Sequence, residues 1–251
     1  VRREMIGVGD AAAQDIGDVS METFPGVQAL TFDLFGTVLD LGGSLTPFIA
    51  KFCQAKGLAT SPQRFWDQWR ARQRLEQYQD NILMLGHSGY LETARRALVY
   101  TLGLNGVQAS REEVAEMMQA WQQLSPFPEV LPALERLKTR YRLVALSNGD
   151  PHFLDHLVQN RIGWSFDAVI SVQTVGAFKP HPGVYRRAAG ILGLEVGACL
   201  MVSANSFDVM GARACGYRGA FVNRYGLPYE DTPYQPDVTV TDFTELPEVL
   251  L

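Results

Sequence analysis

The chain has 251 residues, 47% of them hydrophobic and 20% charged, with both signs interspersed and a formal net charge of -5 at pH 7. That is enough for one large domain or two smaller ones around a sizeable core. It excludes the basic patch with which proteins hold nucleic acid or an anionic membrane surface, so a small molecule is the expected substrate.

Cys53, Cys199 and Cys215 are far apart and in no metal-ligand spacing, which predicts reduced thiols in a cytoplasmic protein with no disulfide and no zinc. No apolar run is long enough to span a membrane. Residues 1–26 are polar, Gly-rich and acidic without the continuous apolar region of a secretory signal, and read as a loosely held N-terminal extension.

The first element is the apolar run Val27 to Phe32, whose β-branched and aromatic residues predict a buried strand. It delivers Asp33 to its carboxyl end within A-L-T-F-D-L-F-G-T-V-L-D, and Gly36 breaks the chain just beyond. From Thr46 to about Gln123 apolar residues recur at helical spacing, interrupted at Gly57–Pro62, Gly86–Gly89 and Leu102–Ser110, which predicts about four helices. Ser61 before Pro62, and Ser110 with Glu113 three residues on, are helix starts. The two prolines of Ser125 to Pro128 mark the return.

From Glu129 the pattern alternates. A helix through Leu137, a strand at Leu143–Leu146, a helix to about Gln159, a strand at Ala168–Val172, a helix at Val184–Leu192, a strand at Cys199–Val202, a helix at Phe207–Cys215 and a strand at Ala220–Val222 are expected. Such βα alternation means a mostly parallel, doubly wound Rossmann-like α/β sheet. The expected organisation is a core of 27–42 and 126–251 with a helical cap, 43–125, inserted over the carboxyl edge of the sheet.

Each later strand end carries a different polar group. Ser147 and Asn148 follow the second strand, Lys179 the third, and Ser203, Asn205 and Asp208 the fourth, and strands of one parallel sheet share the edge at which Asp33 stands. Lys179 supplies the charge that favours an ionised Asp33. Ser147 and Asn148 supply neutral donors, and Asp208 at a helix start can orient Lys179 or a water.

These stretches, F-D-L-F-G-T, L-S-N-G, F-K-P-H-P-G-V-Y and V-S-A-N-S-F-D, resemble the haloacid dehalogenase superfamily from about Val27 to the C-terminus. Phosphatases of that superfamily place a second Asp two residues after the nucleophile and hold Mg²⁺ with acids of the first and last motifs. Here Phe35 and Ala204 stand at those places, so two hard oxygen ligands are missing, and a metal-independent site with no cofactor is expected. A halide leaves without a proton, so a dehalogenase tolerates the loss of the acid.

The pattern is more similar still to the L-2-haloacid dehalogenase branch. That resemblance implies that Asp33 is the nucleophile, supported by Thr37, with Lys179, Ser203, Asn205, Asp208 and Tyr185 completing the catalytic set. It implies a substrate site formed by Ser147, Asn148 and the chain after Asp33 at Leu34 and Phe35, where the branch usually has Tyr at position 35. Arg70, in a Trp69–Arg70 pair, is the expected halide ligand with Arg74 as its competitor, and Phe207 and Tyr90 are expected as aromatic walls.

The implied reaction is hydrolysis of a short 2-haloacid through an ester on Asp33, giving a 2-hydroxy acid and halide. A homodimer is the assembly to test, with no nucleic-acid or membrane partner. A Mg²⁺ phosphatase, a hydrolase of a C–N bond in a small carboxylate and a non-catalytic binder are the alternatives.

Overall fold

The computed structural model describes residues 24–251; the extension expected at the N-terminus lies, up to residue 23, outside the described residues. Strand β1, Ala29–Phe32, is fully buried, as a central parallel strand is, and its one polar side chain, Thr31, donates to the Leu200 carbonyl at 3.2 Å. The chain then turns through Gly36, at φ 86°, a conformation that glycine adopts without penalty, and enters the two-residue strand β2, Leu39–Asp40.

Four helices follow: α1 Leu41–Lys56, α2 Pro62–Ile82, α3 Tyr90–Leu104 and α4 Arg111–Gln119. Their number agrees with the apolar spacing. Helix α1 begins at Leu41 and not at Thr46, because the Asp40 side chain accepts from Gly43 N at 2.8 Å and caps it ahead of the glycines. Ser61 caps α2 and leads into Pro62, and Ser110 and Glu113 form the reciprocal capping box of α4.

The return at β3, Ser125–Pro126, pairs antiparallel with β2, so the two ends of the helical segment are stitched together at one seam. The remaining elements are α5 Val130–Leu137, β4 Arg142–Ser147, α6 Pro151–His156, β5 Ala168–Ser171, α7 Pro182–Leu192, β6 Cys199–Ser203, α8 Ser206–Ala214, β7 Arg218–Val222, β8 Val238–Val240 and α9 Leu246–Leu250. Helix α6 continues to Ile162 in a wider π-helical form. The last strand and helix are missed by the sequence reading, since three residues of β8 and five of α9 are too short for a period to emerge.

The sheet order is β5-β4-β1-β6-β7-β8, all parallel, which is the doubly wound α/β fold. Chain order runs one way from β1 through β4 to β5 and the other way through β6 and β7 to β8. Strand β1 is therefore the switch point, beyond whose carboxyl end such sheets open a crevice. In register, Phe32 stands opposite Ala145 and Val202, so Asp33, Ser147 and Ser203 emerge at one edge.

Candidate active site

Asp33 follows β1 and is 4% exposed. Its two oxygens have different surroundings. Oδ2 accepts from Thr37 Oγ1 at 2.9 Å and from Asn205 Nδ2 at 2.8 Å, whereas Oδ1 has the Lys179 ammonium at 3.4 Å. Thr37 is locked in turn by Ala204 N, which donates to its Oγ1 at 2.9 Å.

Lys179, 1% exposed, donates to Asp208 Oδ2 at 2.8 Å and to the Leu146 carbonyl at 2.6 Å as well. A buried ammonium needs such company, because an unpaired charge in the interior is costly. Its backbone N–H donates to Asn148 Oδ1 at 2.9 Å, tying the loop after β5 to the loop after β4.

Asp208 lies in the first turn of α8. Burial pushes its carboxyl above the usual range, with Lys179 pulling it back down. Its second oxygen, Oδ1, accepts from the Tyr185 hydroxyl at 2.8 Å. Burial raises that phenol well above its ordinary range, and Asp208 raises it further, so Tyr185 remains a donor. Tyr185→Phe leaves a buried carboxylate oxygen one donor short and is expected to lower unfolding stability by about 1–2 kcal/mol in a denaturant titration. An unchanged midpoint would show that water replaces the hydroxyl.

A narrow cleft lies over Asp33, lined by Asp33, Phe35, Arg70, Gln77, Tyr90, Asn148, Lys179, Asn205, Phe207 and Asp208. Phe35 stacks on Tyr90 with ring centroids 3.8 Å apart and 10° between planes. Burial pushes the Tyr90 phenol up to about 12, so it stays neutral and accepts from Arg70 NH1 at 3.4 Å. Arg70 also donates to Gln73 Oε1 at 2.9 Å. Phe207 forms the opposite apolar wall, held edge-on by Tyr78.

Of the expected substrate residues, Asn148, Arg70, Phe35, Phe207 and Tyr90 border this cavity. Ser147, expected to meet the substrate, does not: its Oγ accepts from Gly149 N at 3.4 Å in the turn after β4. That turn is tight, since a Cβ on Gly149 would lie 2.5 Å from Leu154 Cδ2 and 3.2 Å from the Phe35 ring. The Leu34 side chain is in the core, leaving only its backbone to the site. Ser203 Oγ accepts from Asn205 N at 3.1 Å, which shapes the α8 entry without reaching the cavity, and Tyr185 reaches it only through Asp208. Of the other arginines of α2, Arg72 pairs with Glu76 away from the site, as its place on the helix requires, while Arg74 donates to Asn205 Oδ1 at 2.7 Å.

Three neighbours escape the sequence reading. Gln77 borders the cavity and accepts from Asn148 Nδ2 at 3.2 Å. Asn81 exchanges two hydrogen bonds with the backbone of Phe178, next to Lys179. His87 stacks on Phe178 and donates from Nε2 to the Asn148 carbonyl at 2.9 Å; a carbonyl only accepts, which fixes the proton on that nitrogen. The signal for the first two was the largely polar run from Gln73 to Asn81, of which Gln73, Glu76, Gln77 and Asp80 are buried on a helix whose apolar residues alone would not bury it. His87 stands at no diagnostic spacing.

Among the described residues no group of three or more His, Cys, Asp or Glu is placed to hold a metal ion. Next to Asp33 the Lys179 ammonium already supplies the positive charge, and Ala204 and Phe35 offer no side-chain oxygen. The donor set does not fit Mg²⁺.

The geometry can be set beside known proteins. Residues 27–216 match the model of the haloacid dehalogenase-like hydrolases. The chain is 33% identical over 216 residues to haloacetate dehalogenase H-2 of Moraxella sp. (strain B), covering 85% of this chain and 93% of the relative. It is 36% identical over 199 residues to an (S)-2-haloacid dehalogenase of Xanthobacter autotrophicus, 79% of this chain and 76% of that one. The L-2-haloacid dehalogenase of that organism with chloropropionic acid covalently bound superposes with a TM-score of 0.77 at 29% identity, over 89% of this chain and 98% of the other. With a family model spanning residues 27–216 and a relative 33% identical over 85% of the sequence, on a doubly wound parallel sheet, the chain belongs to the haloacid dehalogenase-like hydrolases.

Proposed function

We propose that the protein hydrolyses short 2-haloalkanoic acids to 2-hydroxy acids through an ester on Asp33, without a metal ion. The observation that carries this reading is the division of labour at Asp33. Oδ2 is tied down by two donors, and Oδ1, with only the more distant ammonium, is the oxygen with a lone pair to give.

In the first step Oδ1 attacks the carbon bearing the halogen from behind, inverting it, and the halide leaves with the bonding pair toward Arg70 and Asn148. Bringing two anions together needs fixed cations, which Lys179 and Arg70 supply at a site shielded from water. Backbone N–H groups after Asp33, at Leu34 and Phe35, receive the substrate carboxylate. In the second step water attacks Asp33 Cγ, with Asp208 as its base. The oxyanion then develops on Oδ2, where Thr37 and Asn205 already donate. Burial raises Asp208 toward the working range of a base.

The helical segment 43–125 acts as the cap over a core of 27–42 and 126–251, a division supported by the β2–β3 seam at which the segment leaves and returns. The cysteines, unpaired with Cys53 and Cys199 buried, suit a reducing compartment, and the cytoplasm is the proposed location. No helix among the described residues is long and apolar enough to cross a membrane.

The test is halide release from fluoro-, chloro- and bromoacetate and from both enantiomers of 2-chloropropionate, with and without EDTA. Release unaffected by EDTA is expected. Turnover confined to phosphate esters and dependent on added Mg²⁺ would overturn the reading. Arg70→Leu is expected to lower kcat/KM about 100-fold by removing a cation from the leaving-group side; an unchanged value would move the halide elsewhere.

A further inference from the structure

We propose that Arg74 is a positioning residue for the second half-reaction: from helix α2 it holds the Asn205 amide in the one orientation that polarises the Asp33 ester for attack by water. This rests on the ester mechanism above and adds a residue from the cap to its hydrolytic step.

The argument starts from what each end of the Asn205 amide meets. Nδ2 donates to Asp33 Oδ2 at 2.8 Å and lies 3.3 Å from the Phe35 carbonyl, two groups that only accept. Oδ1 faces the Arg74 guanidinium at 2.7 Å, a group that only donates. Turning the amide over would set oxygen against two acceptors and NH₂ against a cation. While Asp33 is an anion its charge alone selects the orientation, so Arg74 is redundant in the resting enzyme.

Alkylation removes that redundancy. Once Oδ1 carries the substrate carbon, Asp33 is a neutral ester and Oδ2 is a carbonyl oxygen, a much weaker acceptor than a carboxylate. The one charged contact that still distinguishes the two faces of the amide is Arg74, at 2.7 Å, beside the longer bond to the neutral Phe35 carbonyl at 3.3 Å. Hydrolysis then proceeds as follows. The water oxygen bonds to Asp33 Cγ, and the π pair moves to Oδ2 under Asn205 Nδ2 and Thr37. The Cγ–Oδ1 bond next breaks with its electrons going to the departing 2-hydroxy acid. One water proton ends on that product and the other leaves through Asp208 to solvent, restoring the carboxylate. Losing the right face of Asn205 therefore slows this step and leaves the displacement of halide almost untouched.

Helix α2 carries the arrangement further. Arg74, Gln77 and Asn81 stand on adjoining turns and engage Asn205, Asn148 and Phe178 respectively. Each contact reaches a loop that carries a group of the site, so seating α2 on the core and orienting the amides are one event. Arg74 also has the ring of Phe207 5.7 Å away, which steadies the guanidinium.

The experiment compares wild type, Arg74→Met and Arg74→Lys with chloroacetate in steady state and in rapid quench, reading chloride release and the mass of the Asp33 peptide. In Arg74→Met, kcat is expected to fall about 10-fold with kcat/KM changed by less than about twofold, because kcat/KM ends at halide departure. A burst of about one chloride per site and accumulation of the Asp33 ester are expected with it. Arg74→Lys, which keeps a donor-only head group, is expected to recover kcat to within about threefold of wild type. A parallel fall of kcat and kcat/KM without a burst, or an unchanged kcat, would overturn the role given to Arg74. If wild type itself forms no ester on Asp33, the proposed reaction fails, a result read from a different sample.

Discussion

Asp33→Asn is expected to reduce halide release by about 10⁴-fold or more while the protein still folds. The amide is isosteric and its oxygen can keep the bonds from Thr37 Oγ1 and Asn205 Nδ2. It loses the anionic lone pair at Oδ1, which is what attacks carbon. Its NH₂ then faces the Lys179 ammonium, and two donors at that distance repel, so a modest loss of stability of about 1 kcal/mol is expected alongside. Circular dichroism and a melting curve separate the two effects. A variant that is folded and still turns over at a substantial fraction of the wild-type rate would remove Asp33 from the chemistry.

Lys179→Met is expected to lose activity by about 10³-fold or more and to cost about 3–5 kcal/mol of stability at neutral pH. Methionine fills much of the same volume, so the loss is electrostatic. Asp33 and Asp208 are left buried without their shared cation, and the Leu146 carbonyl loses its donor.

The pH dependence of this variant gives a signed test. Burial already raises Asp208 in the folded protein, and Lys179 is the largest influence opposing that rise. Removing it raises the folded-state value further. A carboxyl whose folded value exceeds its unfolded one contributes stability that is full below the unfolded value and is lost as pH rises through the folded value. The stability gap between wild type and Lys179→Met should therefore be narrowest near about pH 4, the ordinary carboxylate range, and widen toward neutrality. A gap that is constant or widens on acidification would contradict the pairing seen here.

Much of this site is written locally in the chain, and that is why it can be read. Asp33, Asn205 and Asp208 stand at strand ends or the helix start beyond, and Lys179 in the loop that follows β5, and a parallel sheet gathers such positions at one edge. The four inserted helices are equally legible, because Ser61 and Ser110 announce two of their starts and the apolar period persists between.

What was not legible depends on the distance between segments. Nothing in the spacing says that Arg74 reaches Asn205, 131 positions on, or that Gln77 meets Asn148. These contacts are set by how α2 lies across the sheet edge, a consequence of packing among Trp66, Trp69 and Trp121 in the helical layer. Ser147 is the converse case. Its place in L-S-N-G suggests a substrate ligand, while in the turn that Gly149 permits its Oγ accepts from Gly149 N, and Asn148 alone of the pair lines the cleft.

The central claim is that the Asp33 carboxylate forms and then loses a covalent ester, and a single-turnover reaction in ¹⁸O-water tests it most directly. With enzyme in excess over chloroacetate, the account predicts label in the Asp33 side chain and none in the glycolate released, because water attacks Cγ and the product keeps the original Oδ1. Label appearing in the product, with an unlabelled Asp33, would mean that water displaces the halide itself and that no ester forms.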